Sequence, residues 1–324
     1  MILKNLEGKG LIIHHWDTDG ICSTRLLLEH LPDKKIENHT PTLGNYYLTE
    51  EELKNYSKYD FIILADMSLP INNILKLSKK AKVMIFDHHL GKEIDEVFHH
   101  NPVIKGENPD KYPSASWIIN DYLGNKINLY ALLGVVGDHE QKIKNNQVFN
   151  QKINDFCKEN NLEFDDLLKM VYLMDTNYKI CDKKAVEQAP RQLKNNSAEQ
   201  ILNNKKWNEN LEILDEEIKK IIDLPSDEID SVIFKKISTR YNIISTITRK
   251  IAWDTGKNTI VVNTGFFDDR DQIYMRSNKN AEPIIQKGKL LGYRCGGKKE
   301  VLGAIVPKDK TDSFVKEIFE FLKA

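Results

Sequence analysis

Short apolar runs, each ending in a polar tip and followed by an amphipathic stretch, recur along the first third of the chain. Leu11 to His15 leads into Trp16-Asp17-Thr18-Asp19-Gly20, and Ile21 to Leu31 then carries helical spacing. Phe61-Ile62-Ile63-Leu64-Ala65 ends at Asp66 and precedes a helix-like stretch from Pro70 to Lys80, while Val83-Met84-Ile85-Phe86 ends at Asp87-His88-His89. Continuous apolar runs alternating with amphipathic segments predict an α/β fold with a parallel sheet covered by helices on both faces. In such sheets the ligand site lies beyond the carboxyl ends of the strands, where Asp17, Asp66 and Asp87 fall.

From Tyr112 the pattern turns helical. Pro113-Ser114-Ala115-Ser116 is a helix start with a hydroxyl available to cap free amides. Leu129 to Val136 is an apolar segment ending at Gly137-Asp138. Residues 141–222 are polar and rich in Asn and Lys. Within them Trp207, Leu211, Leu214, Ile218 and Ile221 recur at helical spacing and form one apolar stripe. Asp223 to Glu228, with Pro225, reads as a linker, and His99-His100 as an exposed loop. Beyond it, strands are expected at Val232–Phe234, Thr259–Val262, Gln272–Arg276 and Val301–Val306, with helices near 241–254, 281–291 and 312–322. The expected organisation is an α/β domain over 1–145, a helical extension and linker over 146–228, and a smaller α/β domain over 229–324.

A length of 324 residues favours two domains. With 47 basic against 48 acidic residues the chain is no polycation, so any contact with nucleic acid must be local. Cys22, Cys157, Cys181 and Cys295 include no CxxC pair, which argues against a zinc ribbon or a disulfide scaffold and makes a reducing cytosol the expected setting. No apolar run approaches the ~18 residues that span a bilayer, and MILKNLEGKG has no signal-like apolar core, so neither membrane insertion nor export is expected.

Carboxylates and imidazoles gathered at one sheet edge repel one another unless a cation sits between them. Two divalent ions would satisfy them, and such a pair is the usual apparatus for hydrolysing phosphate esters. Alternate residues of an extended loop turn the same way, so His15, Asp17 and Asp19 are candidate ligands, and Gly20 permits a tight entry into the next helix. Asp66, at the end of a separate strand, is the candidate bridge. Oxygen and imidazole ligands together suit Mn²⁺, with Mg²⁺ as the alternative.

The series HxDxDG at His15 to Gly20, Asp66 after a strand, DHH at Asp87 to His89 and GD at Gly137-Asp138 resembles the DHH phosphoesterase superfamily, which includes RecJ exonucleases, nanoRNases, cyclic dinucleotide phosphodiesterases and family II inorganic pyrophosphatases. The C-terminal third resembles the DHHA1 domain of the RecJ-like branch, and the short form is most similar to archaeal RecJ-like nucleases. The resemblance implies that Asp17 and Asp19 ligate separate metals, that Asp66 bridges them, and that His88 and Asp138 ligate the second. It also implies that His89 contacts the scissile phosphate and that Asp87 supports the His pair; His15 stands where bacterial RecJ has Asp.

In the DHHA1 domain a GGGH motif grips phosphate. Here the corresponding stretch is Tyr293-Arg294-Cys295-Gly296-Gly297-Lys298-Lys299, with Cys295 in place of the first Gly and Lys298 in place of the His. Arg276 matches the strand-end arginine of the family. Arg276, Arg294, Gly296, Gly297 and Lys298 are therefore the expected substrate contacts besides His89. The function implied is a Mn²⁺- or Mg²⁺-dependent exonuclease on single-stranded DNA or RNA. The alternatives are a small-substrate phosphodiesterase of the nanoRNase or 3′-phosphoadenosine 5′-phosphate phosphatase type, and a replisome scaffold without catalysis. A helicase or replisome partner is also implied, with 141–222 as the place for it.

Overall fold

The computed structural model describes residues 2–193 and 197–323 and divides into two compact units, 1–178 with 182–211 and 179–181 with 212–324. Among the described residues of the first unit, a five-stranded parallel sheet runs in the order β2-β1-β3-β4-β5. Its strands are β1 (Lys9–His14), β2 (Lys35–His39), β3 (Phe61–Ala65), β4 (Lys82–Phe86) and β5 (Phe98–His100). Every residue of β3 is buried, as are all but the first of β1 and β4, so the apolar runs are strands covered on both faces. The strands are interleaved with α1 (Thr18–His30), α2 (Glu50–Tyr56) and α3 (Ile71–Ser78). Chain order reverses at β1, between β2 and β3, and such a reversal opens a crevice at the strand ends.

Helices α4 (Ala115–Tyr122), α5 (Leu129–His139), α6 (Gln147–Asn160), α7 (Phe164–Lys179), α8 (Lys183–Gln192), α9 (Ala198–Leu202) and α10 (Lys205–Asp223) follow. Ser114 caps α4 by accepting a hydrogen bond from the Trp117 amide, as its hydroxyl foretells. The helical stretch does not stand apart as an extension. Phe149, Ile153, Leu167, Met170, Leu173, Val186 and Ile201 join the hydrophobic core that holds Ile12, Ile63 and Leu133, because their apolar stripes leave no stable alternative to burial on the sheet domain. The stripe on α10 serves two cores: Trp207 belongs to the first, whereas Leu214, Ile218 and Ile221 pack with Ile247 and Val261 of the second unit. The division therefore falls at 211/212, inside a helix, and not at a linker near 223–228.

The second unit contains a mixed sheet, ordered β10-β11-β9-β8-β7-β6. Its strands are β6 (Asp227–Ile229), β7 (Val232–Ile237), β8 (Asn258–Asn263), β9 (Arg270–Arg276), β10 (Arg294–Lys298) and β11 (Val301–Pro307); its helices beyond α10 are α11 (Ile244–Thr255), α12 (Glu282–Leu290) and α13 (Thr311–Lys323). Helix α11 covers one face through Ile244, Ile247 and Ile251, and α12 and α13 cover the other through Ile284, Ile285, Phe314 and Ile318. The expected strands and helices of this third of the chain are present. The glycine-rich motif is itself a strand, β10, paired with β11, and His99-His100 lie in β5 at the sheet edge instead of in a loop. Among the described residues, no helix is long and apolar enough to cross a membrane.

Candidate metal centre

Strand register assembles the site. The ladder carries on past the ends of the strands: the His15 amide donates to Ala65 O at 3.3 Å, that of Asp66 to Phe86 O at 2.9 Å, and that of Asp87 to His100 O at 3.3 Å. Three tips far apart in sequence are thereby held side by side at the β1/β3 crevice. Asp66 has φ +56°, a left-handed conformation that strains most non-glycine residues and that here turns its carboxylate inward. Gly20 closes the loop from the other side. A Cβ there would sit 2.2 Å from His15 O, so only glycine lets α1 start this close to β1.

Ligand atoms converge in two triads, His15 with Asp17 and Asp66, and Asp19 with His88 and Asp138, each within 4.8 Å of one another. Asp66 also forms a triad with His88 and His89, and its Oδ1 lies 3.5 Å from His88 Nε2 while its Oδ2 lies 3.7 Å from His15 Nδ1. It stands between the two groups. His88 Nε2 approaches Asp138 Oδ2 at 3.1 Å, and His15 Nδ1 approaches Asp17 Oδ2 at 2.8 Å. Asp87 accepts from the His88 amide at 2.9 Å and from His89 Nδ1 at 2.7 Å, which fixes the His89 ring with Nε2 on the side away from Asp87.

The electrostatics are those of a site prepared for cations. Burial pushes the Asp66 carboxyl well up from its ordinary pKa, and the surrounding Asp19, Asp17 and Asp138 carboxylates push it further. Asp19 is raised by burial too, although the Ser116 and Ala115 amides at the start of α4 donate to it at 2.9 and 2.7 Å. Burial works against ionisation of Asp17, yet the neighbouring His15 imidazole and the Gly20 amide hold its pKa below the carboxylate range. His15 Nε2 and Oδ1 of Asp66 are buried without a hydrogen bond, while His15 Nδ1 lies against Asp17. Orphaned lone pairs pointing at shared space are costly in protein alone and are satisfied by a metal ion. The donors, carboxylate oxygens with imidazoles, fit Mn²⁺ or Mg²⁺.

Helices that the sequence pattern did not connect to the site hold it in place. Asp175 on α7 accepts from the Thr18 amide at 3.0 Å and from Thr18 Oγ1 at 2.7 Å, gripping the residue between Asp17 and Asp19. His14 is fully buried, and burial lowers its pKa to about 4, so the ring is neutral. Its Nδ1 lies 2.7 Å from His15 O, which can only accept; Nδ1 therefore carries the proton and Nε2 accepts from Asn38, 3.3 Å away. Asn38 also donates to Glu187 O of α8. No local pattern announces these partners, because Thr18 and Asp175 are 157 positions apart. Removing such a support should loosen metal binding: Asp175→Ala is expected to weaken Mn²⁺ affinity about tenfold, read by calorimetric titration, and unchanged affinity would show that Asp175 is packing only.

The remaining expected substrate residues lie in the second unit. Arg276 ends β9, while Arg294, Gly296 and Gly297 lie in β10. Lys298 pairs through its backbone with Val301, and its side chain lies outside the described residues. A cavity of about 600 Å³ among α7 to α10, lined by Asn177, Gln188, Arg191 and Trp207, contains none of the expected site residues.

Residues 9–131 match the model of the DHH family, N-terminal domain. This part of the chain is a DHH-family domain. No curated protein matches the sequence. Among solved structures, the chain is similar to RecJ in complex with Mn²⁺ from Thermus thermophilus, at TM-score 0.71 and 14% identity, covering 99% of this chain and 53% of that one. The chain thus spans about half the length of the Thermus protein. It is also similar to the pGpG-specific phosphodiesterase PggH from Vibrio cholerae, at TM-score 0.56 and 13% identity over 97% of this chain and 99% of that one. CDC45 from Entamoeba histolytica shares the fold at TM-score 0.57 and 10% identity, over 98% of this chain and 95% of that one. At these identities the likeness is one of fold. The fold of each unit, the parallel five-stranded sheet with its helices and the second mixed sheet, is that of the RecJ structures.

Proposed function

We propose that the chain is a two-metal phosphodiesterase of the RecJ-like kind, hydrolysing single-stranded DNA or RNA from one end. The observation that carries the reading is the pair of ligand triads, with Asp66 in one and 3.5 Å from His88 of the other. His15 and Asp17 would hold one ion, Asp19, His88 and Asp138 the other, and Asp66 both. Bound there, Mn²⁺ or Mg²⁺ would activate water and neutralise charge building up on the phosphoryl oxygens. The protein supplies the rest. With Nδ1–H donating to Asp87, the half-exposed His89 ring would reach a phosphate oxygen with Nε2, donating to it as the imidazolium. The α4 amides on Asp19 and the Asp175 grip on Thr18 keep the ligands from following the substrate. Arg276, Arg294 and the glycines of β10 are the proposed phosphate contacts of the second unit.

A second reading is a phosphodiesterase of dinucleotides or similar small substrates, favoured by the match to PggH along nearly its full length. A scaffold without catalysis, suggested by the CDC45 fold, is opposed by the ligand set: degeneration erases ligands, and here they converge. Any helicase or replisome contact would then be additional to catalysis. The test is hydrolysis in Mn²⁺ of a short single strand labelled at its 5′ or 3′ end. Progressive loss of label from one end supports the exonuclease and gives its polarity. Survival of the strand while dinucleotides are cut supports the second reading, and inertness toward both with every divalent metal removes catalysis.

A further inference from the structure

On the second unit, strand register sorts the β9, β11 and β10 side chains into two faces. Tyr274 lies opposite Gly303, which lies opposite Gly296, and Arg276 lies opposite Val301. Tyr274 packs with the α11 core, whereas Ile273 and Met275 pack with α12 and α13, so this row faces the α11 side. Gly297 belongs to the opposite face, where a Cβ would meet Val301 O at 1.8 Å and Ile285 of α12 at 3.2 Å. Its glycine serves backbone packing. At Gly296 a Cβ would meet nothing within 4 Å, whereas at Gly303 it would meet the Tyr274 ring at 3.5 Å, so on the α11 side the sheet is open at Gly296 and floored by Tyr274 beside it.

Trp253, near the end of α11, borders this region. Its indole is 53% exposed, an unusual state for the largest apolar side chain, and two guanidinium carbons lie near its ring, Arg249 at 5.3 Å and Arg276 at 5.8 Å. Tyr274, next to both arginines in space, adds a second aromatic ring to the same face. An exposed aromatic among cations matches a single nucleic-acid strand in both of its chemistries, with bases that stack and phosphates that pair with guanidinium.

We infer that Trp253 is a stacking platform for a base of a single strand, with Arg249 and Arg276 beside it pairing the adjoining phosphates. Arg249 and Trp253 thereby extend the substrate contacts along α11. The inference rests on the nucleic-acid reading above and names where that substrate is held. Stacking tolerates every base, so the platform gives affinity without sequence preference.

Tryptophan fluorescence reads the contact directly, because Trp16 and Trp207 are 3% exposed and Trp117 is partly buried, leaving Trp253 as the accessible emitter. In the metal-free protein, both units together, where no strand is cut, oligothymidylate is expected to quench the emission. An abasic strand with the same number of phosphates is expected to bind about tenfold more weakly and to quench little. Trp253→Ala should lose that tenfold preference, and Trp253→Phe should keep most of it. Equal affinity of the wild type for the two strands, or unchanged affinity of Trp253→Ala for oligothymidylate, overturns the platform, as does failure to bind any strand. Hydrolysis assayed separately with Mn²⁺ keeps the two readings apart. A strand that is degraded without quenching removes the platform and leaves the exonuclease; quenching without hydrolysis removes the exonuclease and leaves the platform.

Discussion

Asp66→Asn is expected to abolish phosphodiesterase activity, lowering kcat by at least about 10³-fold, or more than about 4 kcal/mol of transition-state stabilisation. The amide keeps the size and the left-handed backbone at φ +56°, but it cannot bridge two cations as a carboxylate does. The same substitution should have the opposite effect on the fold. In the metal-free protein Asp66 is buried beside Asp17, Asp19 and Asp138, and a neutral amide there escapes the cost that the carboxyl meets, of either holding a desolvated charge among like charges or taking up a proton. Metal-free Asp66→Asn is therefore expected to be more stable than the metal-free wild type by about 1–2 kcal/mol in urea denaturation. Added Mn²⁺ should reverse the order, because the wild type gains about 2.7 kcal/mol at a free metal concentration of 100 Kd and the variant gains far less. A variant that retains wild-type kcat would remove Asp66 from the centre; one that is destabilised without metal would show that the carboxylate is paired inside the fold.

Gly134→Ala, on a helix that supplies only Asp138 to the site, is expected to cost about 10²-fold in activity. A Cβ at 134 would lie 2.0 Å from Ser116 Oγ and 2.1 Å from Asp19 Oδ1. Those atoms are not free to swing away: Asp19 is held by the Ala115 and Ser116 amides, and Ser116 Oγ donates to Ala131 O. The methyl group must push Asp19 out of line with His88 and Asp138. Helix propensity favours alanine over glycine by about 1 kcal/mol, which offsets part of an overpacking cost of about 1–3 kcal/mol. The variant should therefore fold, with modestly lowered stability and a large loss in metal affinity and kcat. Gly137→Ala on the same helix should cost less, since its Cβ would meet Thr18 at 3.3 Å where that of Gly134→Ala meets Asp19 Oδ1 at 2.1 Å. Equal activity of Gly134→Ala and wild type would mean that Asp19 is not needed where the structure places it.

The DHH domain was readable because its chemistry sits at strand ends. A run such as Phe61–Ala65 announces a buried strand, and the polar residue that stops it marks the tip, so Asp66 and Asp87 declare their own positions. Strands without that contrast were not visible. β2 reads Lys-Ile-Glu-Asn-His and β5 Phe-His-His, edge strands whose half-exposed side chains carry no apolar run, and β10 is hidden by its glycines. The helical stretch from 147 onward showed its apolar stripes but not their destination. A stripe states that a face must be buried and does not name the surface that buries it, which is why Trp207 and Leu214, on one stripe of one helix, end in different cores.

By itself the sequence determined the alternation of buried strands and amphipathic helices and the residue types at the tips, and hence the donor set of a candidate metal centre, because these follow from local period and donor chemistry. Tertiary structure alone decided which candidate ligands share a triad, the inward turn of Asp66, the hold of Asp175 and His14 on the first loop, and the sheet face shared by Tyr274 and Gly296. Those depend on strand register and helix packing between residues up to 157 positions apart, and register is a property of the assembled sheet that no local window contains.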